Sequence, residues 1–279
     1  MVNHPDYHTA HWNRPADGLL LACPESSGER LGRVSSEIEL QHCSTIVYAI
    51  PRDRARGLVP EGFEVEEGWV GGRPVAWLSV FSCLDQGKRV GFGERAAAFE
   101  QTSYRIHASR DGEPGYWLVG TSLGSLAAVA ERHYWPLPWH LSAMELRVSF
   151  DQAGGRYRDY RLETQSQWAN GCWELGDTGE ALSEGVGRHA LPRLLSEPGA
   201  ATYFLRRDGE LGCYRMWSVG ECPTRGHVKS GCCDLLASLG LLDRHEVARP
   251  HLVALQQSLR CRLQPPTVVE PAAYGLAVA

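Results

Sequence analysis

Alternation constrains this chain more than any other feature. Glu37-Ile38-Glu39-Leu40-Gln41 alternates polar with apolar, and Ser44 to Ile50 is a β-branched run. Phe63 to Glu67 and Arg73 to Cys83 flank the glycine turn Gly71-Gly72. Glu100 to Ala108, Gly115 to Thr121, Ala143 to Asp151, Tyr157 to Gln165, Ala200 to Arg206 and Gly212 to Val219 continue the pattern. A period of two is that of a strand with one face inward. Arg110-Asp111-Gly112, Gly154-Gly155 and Arg207-Asp208-Gly209 punctuate these segments as turns. Many short strands joined by tight turns predict a mainly β (α+β) chain folded as an antiparallel β-barrel or sandwich with a few peripheral helices. Pro51 to Pro60, arginine-rich, reads as a short helix with a proline start and a glycine stop. Ser122 to His133, Leu182 to Leu195 and Cys232 to Leu242 read as three more helices. Residues 1–36 are polar and rich in His, Pro, Gly and Ser, so they read as an N-terminal extension or arm; 37–279 read as a single domain.

Of 279 residues, 43% are hydrophobic and 22% charged, which suits a folded core. The net charge of −5 leaves no basic surplus for phosphates, so nucleic acid is not an expected partner. No run of about 18 apolar residues appears, so no membrane span is expected. Nine scattered cysteines and a start without a charged-then-apolar export signal point to a reducing cytoplasm. Lys88 and Lys229 are the only lysines, and Lys229 lies in a Gly/Ser-rich stretch that reads as a surface loop. Any imine mechanism therefore has two candidates.

Two constellations could carry chemistry. Arg132, His133, Tyr134, Trp135, Trp139 and His140 crowd into nine residues. Imidazoles suit general acid/base work on an enolisable ketone. A phenol and a guanidinium can hold an enolate oxygen, and indoles make flat walls. The plainer alternative is a helix end followed by a proline-rich turn on the surface. Gln101, Ser103, Arg105 and His107 share one face of one strand by their spacing. That face either lines a polar cavity, where Arg105 could hold a carboxylate, or looks into solvent from an edge strand. Cys222, His227, Cys232 and Cys233 are soft ligands close together, but their spacing fits no usual zinc frame, so no metal is expected. Glycine-rich stretches such as Gly91-Phe92-Gly93 do not sit between strand and helix, so no nucleotide or other cofactor is implied.

Several stretches resemble one family. Ser44-Thr45-Ile46-Val47-Tyr48, the short helix and Val59-Pro60-Glu61-Gly62-Phe63-Glu64-Val65 look like the opening of acetoacetate decarboxylases. Glu131-Arg132-His133-Tyr134-Trp135-Pro136-Leu137-Pro138-Trp139-His140-Leu141 is similar to the segment that carries that family's lysines. Phe99-x-Gln101-x-x-x-Arg105 and Tyr203-Phe204-Leu205-Arg206-Arg207 with Tyr214-Arg215 resemble its YqjF-like branch. The resemblance covers about residues 38–265 and implies a conical antiparallel barrel around a solvent-poor pocket. The departures are chemical. Trp139 stands at the position of the Schiff-base lysine and His140 at its lysine neighbour. Gln101 stands at the pocket glutamate and Gln41 at the early pocket arginine. Tryptophan cannot form an imine.

Two functions are therefore expected as alternatives. The first is an enzyme, of secondary metabolism such as antibiotic biosynthesis, using proton transfer on a ketone, β-keto acid or polyketide-like substrate: cyclisation, dehydration, isomerisation or retro-aldol cleavage. His140, His133, Arg105, Arg132 and Tyr134 would be catalytic; Trp139, Trp135, Gln101, Gln41 and Tyr104 would bind substrate. Between the imidazoles, His140 is expected to matter more, because the resemblance turns it into the pocket; a one-residue slip would turn Trp139 inward instead. The second is a non-catalytic binding protein for a small ligand. Homo-oligomerisation is left open by the sequence.

Overall fold

The computed structural model describes residues 36–86, 89–90, 94–95, 98–125, 137–182, 199–206, 208–220 and 222–269. The proposed N-terminal arm falls almost wholly outside them, as do 126–136 and 183–198.

The chain runs through β1 (Ser36–Ile50), α1 (Arg52–Arg56), β2 (Glu64–Val65), β3 (Glu67–Val70), β4 (Arg73–Asp85), β5 (Arg89–Val90), β6 (Glu94–Arg95), β7 (Phe99–Arg110) and β8 (Glu113–Leu123). It continues through β9 (Trp139–Leu141), β10 (Ala143–Asp151), β11 (Arg156–Gln165), β12 (Gly171–Ala181), β13 (Ala201–Leu205), β14 (Leu211–Gly220) and β15 (Thr224–Cys233). The one-turn helix α2 (Asp234–Ser238), β16 (Leu252–Leu263) and β17 (Thr267–Val268) follow. Turns form where left-handed residues stand together: Gly71-Gly72 between β3 and β4, and Asp111-Gly112 between β7 and β8, all with positive φ.

One large sheet holds nearly all of these strands, in the order β10-β11-β12-β15-β16-β1-β4-β7-β8-β13-β14-β17. Because β14 also pairs with β16, the strands β16, β1, β4, β7, β8, β13 and β14 close into a ring. The remaining strands β15, β12, β11 and β10 curl away from β16 and come back to touch β7. The pairing is mostly antiparallel. Two pairings are parallel: β8 with β13 and β8 with β9.

This topology makes β1, β4, β7 and β8 a wall between two cores. On one face Ile46, Tyr48, Leu78, Val80, Tyr104 and Ile106 pack with Leu146, Leu162 and Trp173 of the curled extension. On the other, inside the ring, Leu40, Cys43, Phe81 and Cys83 meet Cys261 and Leu263, with Tyr214 and Met216 packed against them. Further along the ring, Leu118, Leu137 and Phe204 cluster with Trp139 and Tyr214. A bulge in β1 changes which residues serve which core. His42 takes φ 51°, and the register with β4 shifts between Gln41 and Ser44. Tyr160 donates to the His42 carbonyl at 2.7 Å, and the Tyr157 hydroxyl lies 3.2 Å from its Nδ1. These contacts offset the strain of a left-handed non-glycine residue.

The arginine-rich helix forms as expected. Two others are corrected where they start: Ser122 and Leu123 end β8, the rest of that expected helix after Ser125 lying outside the described residues, and Cys232 and Cys233 end β15, leaving α2 only Asp234–Ser238. The expected helix from Leu182 to Leu195 lies, after Leu182, outside the described residues. Lys229 is in strand β15, not in a loop.

Candidate functional site

Strand β7 carries the site. Its odd residues face the ring: Gln101 pairs with Cys83, Ser103 with Phe81 and Arg105 with Ser79 of β4. On the β8 side, Ser103 stands opposite Thr121, their hydroxyls 3.0 Å apart, and Arg105 opposite Leu118. The Gln101 amide donates to the Cys83 thiol at 3.2 Å. Arg105 is 7% exposed, with its guanidinium carbon 4.9 Å from the Phe81 ring centre and 4.6 Å from that of Tyr116. Both distances lie in cation–π range, so two electron-rich faces stabilise a cation that burial would otherwise disfavour. Its Nε has no hydrogen-bond partner, and no carboxylate pairs with it among the described residues. An enclosed guanidinium with donors to spare is a place for an anion.

His107 lies two residues further on the same face and is fully buried. Burial, and then the nearby Arg105 cation, lower its pKa to about 3, so the ring is neutral at ordinary pH. It meets Tyr116 edge-on at 4.9 Å, and its Nδ1 is 3.9 Å from a Glu66 carboxylate oxygen. Glu66, a residue the sequence did not single out, is brought there by a backbone bond to the His107 carbonyl. Sequence distance alone hides it; no local pattern links positions 66 and 107.

The short strand β9 decides between Trp139 and His140. Its parallel register sets Trp139 beside Thr121 and His140 beside Ser122. Thr121 is on the ring face, and Trp139 accordingly packs there with Leu118, Leu137 and Phe204. Ser122 is on the opposite face, opposite Thr102 and next to Tyr104. His140 follows it and stacks on Trp168, ring centres 3.8 Å apart and planes 3° apart. Trp168 in turn meets Tyr104 edge-on at 5.5 Å and lies over Gly120, where a Cβ would come within 2.5 Å of the indole. Tyr104 is fully buried, and burial raises its phenol pKa well above the usual value.

The structure thus groups Gln101, Arg105 and Trp139 on the ring face and places His140 and Tyr104 together on the other. Gln41 joins neither group. It bonds to Gln86 at 2.8 Å and Glu39 at 3.2 Å, and alternation sets it on the reverse side of β1 from Leu40. Arg132, His133, Tyr134 and Trp135 lie outside the described residues. Lys229 sits on β15, which is not in the ring, with its amine 4.0 Å from Glu174. Glu100, also unforeseen, is a buried carboxyl whose pKa burial raises; it occupies the reverse face from its neighbour Gln101. Among the described residues, no three His, Cys, Asp or Glu side chains cluster as a metal site. Nor is any described helix long and apolar enough to cross a membrane.

Known proteins agree with this architecture. The model of the family DUF2071, described as an uncharacterized conserved protein, matches residues 37–194. The acetoacetate decarboxylase of Legionella pneumophila superposes with a TM-score of 0.57 at 12% identity, over 93% of this chain and 98% of that one. An acetoacetate decarboxylase-like enzyme from Sphingomonas wittichii RW1 gives 0.55 at 13% identity, over 90% and 99%. The enduracididine biosynthesis enzyme MppR complexed with pyruvate gives 0.50 at 12%, over 92% and 96%. No curated protein matches in sequence. At such identities the shared property is the fold.

Proposed function

The chain belongs to the DUF2071 family, and on that footing we propose that it is a small-molecule enzyme that takes an oxo acid or related ketone into its ring and works by proton transfer, without a lysine imine. The observation that carries this reading is Arg105, enclosed between Phe81 and Tyr116 with no carboxylate partner among the described residues. It is aimed at the same interior as Gln101 and Trp139. A guanidinium in a water-poor site holds a carboxylate bidentately and stabilises an enolate oxygen as it develops. The Gln101 amide and the Ser103–Thr121 hydroxyl pair would orient the carbonyl, and Trp139 and Phe81 would wall in the carbon skeleton. A solved relative in fold holds pyruvate, a 2-oxo acid, which supports the ligand class. Its role in enduracididine biosynthesis agrees with a place for this chain in secondary metabolism. Loss of a proton next to the carbonyl then opens cyclisation, dehydration or isomerisation, and loss of a β-hydroxyl proton opens retro-aldol cleavage to the same kind of enolate. The proton carrier proposed is His133, with the Tyr134 hydroxyl to hold the enolate oxygen, both on the strength of the sequence alone.

Proton exchange tests this directly. Protein incubated in D2O with pyruvate or acetoacetate should speed deuterium uptake next to the carbonyl, followed by NMR. Arg105→Met should weaken oxo-acid binding by about a hundredfold, the scale of a lost charge-assisted pair in an enclosed site. Arg105→Lys should not restore it, because an ammonium lacks the planar fork and its aromatic stacking. Borohydride with the oxo acid should leave no adduct on a lysine. Unaltered binding by Arg105→Met, or a trapped amine, would refute the reading. His140 facing away from Arg105 favours one second reading, a ligand-binding barrel without catalysis. Tight oxo-acid binding with no proton exchange would decide for it.

A further inference from the structure

Cys172 and Cys232 stand directly opposite each other on the neighbouring antiparallel strands β12 and β15. Their sulfurs are 2.9 Å apart, and both are free thiols. Cys232 is exposed and Cys172 half-buried, so the pair is on the outer face of the sheet. The next residue, Cys233, points the other way into the core beside Tyr104. We propose that Cys172 and Cys232 form a reversible oxidation site that takes a peroxide as its oxidant and closes to a cross-strand disulfide.

The geometry is nearly that of the product. Residues opposite one another in an antiparallel pair have Cα atoms about 4.5–5.5 Å apart, within the roughly 4.4–6.8 Å that a disulfide needs. Closure therefore asks for side-chain rotation and no strand movement. The roles of the two sulfurs differ. Cys172 is the more enclosed of the two, and burial, then the adjacent Cys232 thiol, raise its pKa. Cys232 is the sulfur that an oxidant in solvent meets.

The Cys232 thiolate attacks one oxygen of hydrogen peroxide and breaks the O–O bond. It becomes a sulfenic acid, and the departing hydroxide takes a proton and leaves as water. Cys172 then gives up its proton and attacks the sulfenic sulfur. The S–OH bond breaks, and the hydroxide leaves with that proton as a second water. The two thiols lose two electrons and two protons in all, and one peroxide becomes two waters. A thiol reductant reverses the change by exchange. The bond ties β12 to β15, the two strands that carry Trp173 and Cys233 into the core.

Oxidation of the folded full chain with dilute hydrogen peroxide, followed by alkylation and non-reducing peptide mapping, tests the site. A peptide joining Cys172 to Cys232 should appear, lighter by two hydrogens than its parts, and vanish with dithiothreitol. Fragmentation between the vicinal residues must assign the link to Cys232. The oxidised protein should melt roughly 5–10 °C above the reduced one, as expected for closing a long loop in a chain of this size. Cys172→Ser should leave Cys232 open to a sulfenic-acid trap such as dimedone. The wild-type map stands by itself if that variant folds poorly. Absence of the linked peptide from oxidised wild type, or a link from Cys232 to Cys233 or Cys222, would overturn the proposal.

Discussion

His140 lies flat on Trp168, 3.8 Å between ring centres, and the contact holds the imidazole on the reverse face of the sheet from Arg105. The sequence places the main acid/base at position 140; the parallel register of β9 places Trp139 there instead, among the ring residues.

His140→Ala should accordingly act on stability more than on turnover. Losing a stacked pair costs about 0.5–1.5 kcal/mol beyond the lost burial, a fall in Tm of roughly 2–5 °C for a chain of this size. Turnover should drop less than about tenfold. Thermal melting and steady-state rates on the same preparation check this. A loss of about a hundredfold or more with an unchanged Tm would give His140 the general-base role after all.

The buried His107 should write itself into the acid stability of the fold. Its native pKa is lowered to about 3, whereas an unfolded histidine titrates near 6.5. Between these values the unfolded chain binds the extra proton, so stability falls as pH falls through the window and loses nothing more below it. His107→Phe keeps a ring against Tyr116 and removes the proton. Between pH 7 and pH 4.5 the wild type should lose on the order of 2 kcal/mol more than this variant in urea titrations. Parallel losses in the two proteins would mean that His107 is not the group responsible.

Ring closure should depend on Gly115. A Cβ there would sit 2.4 Å from the Ala201 carbonyl oxygen of the parallel partner β13. Backbone cannot swing aside as a side chain can, so Gly115→Ala must push β8 and β13 apart. Overpacking of this kind costs at least about 1–3 kcal/mol, and Tm should fall by about 5 °C or more. Wild-type melting of the alanine variant would show that the two strands are not so closely joined.

Much of this was legible. Strand β7 keeps its polar row Gln101, Ser103, Arg105 and His107 on one face, as its spacing says, because the residues between them are needed by the other core. The strands that failed to show themselves have physical reasons. β15 contains Gly226 and Gly231, which read as loop, yet Val253 and Leu255 crowd the first and Trp173 the second, filling the space a side chain would take. The leucine-rich run after Cys233 looks helical but stops after one turn, with Gly240 left-handed at φ 68°. The choice between Trp139 and His140 rests on β8 and β9 running in parallel, and no local pattern encodes that. The partners Glu66 of His107 and Trp168 of His140 come from other parts of the chain, so only the fold could supply them.

The wall between the two cores leaves β1 with no idle side. Ser44, Ile46, Tyr48 and Ile50 are buried on one face and Cys43 and Val47 on the other, and the His42 bulge exchanges the faces along the strand. In a library of all single substitutions, the Cys43–Ile50 part of β1 would stand out as a block of intolerance, while β11, with Arg156, Arg158 and Arg161 outward and Tyr157, Tyr160 and Leu162 inward, would accept change at its exposed positions.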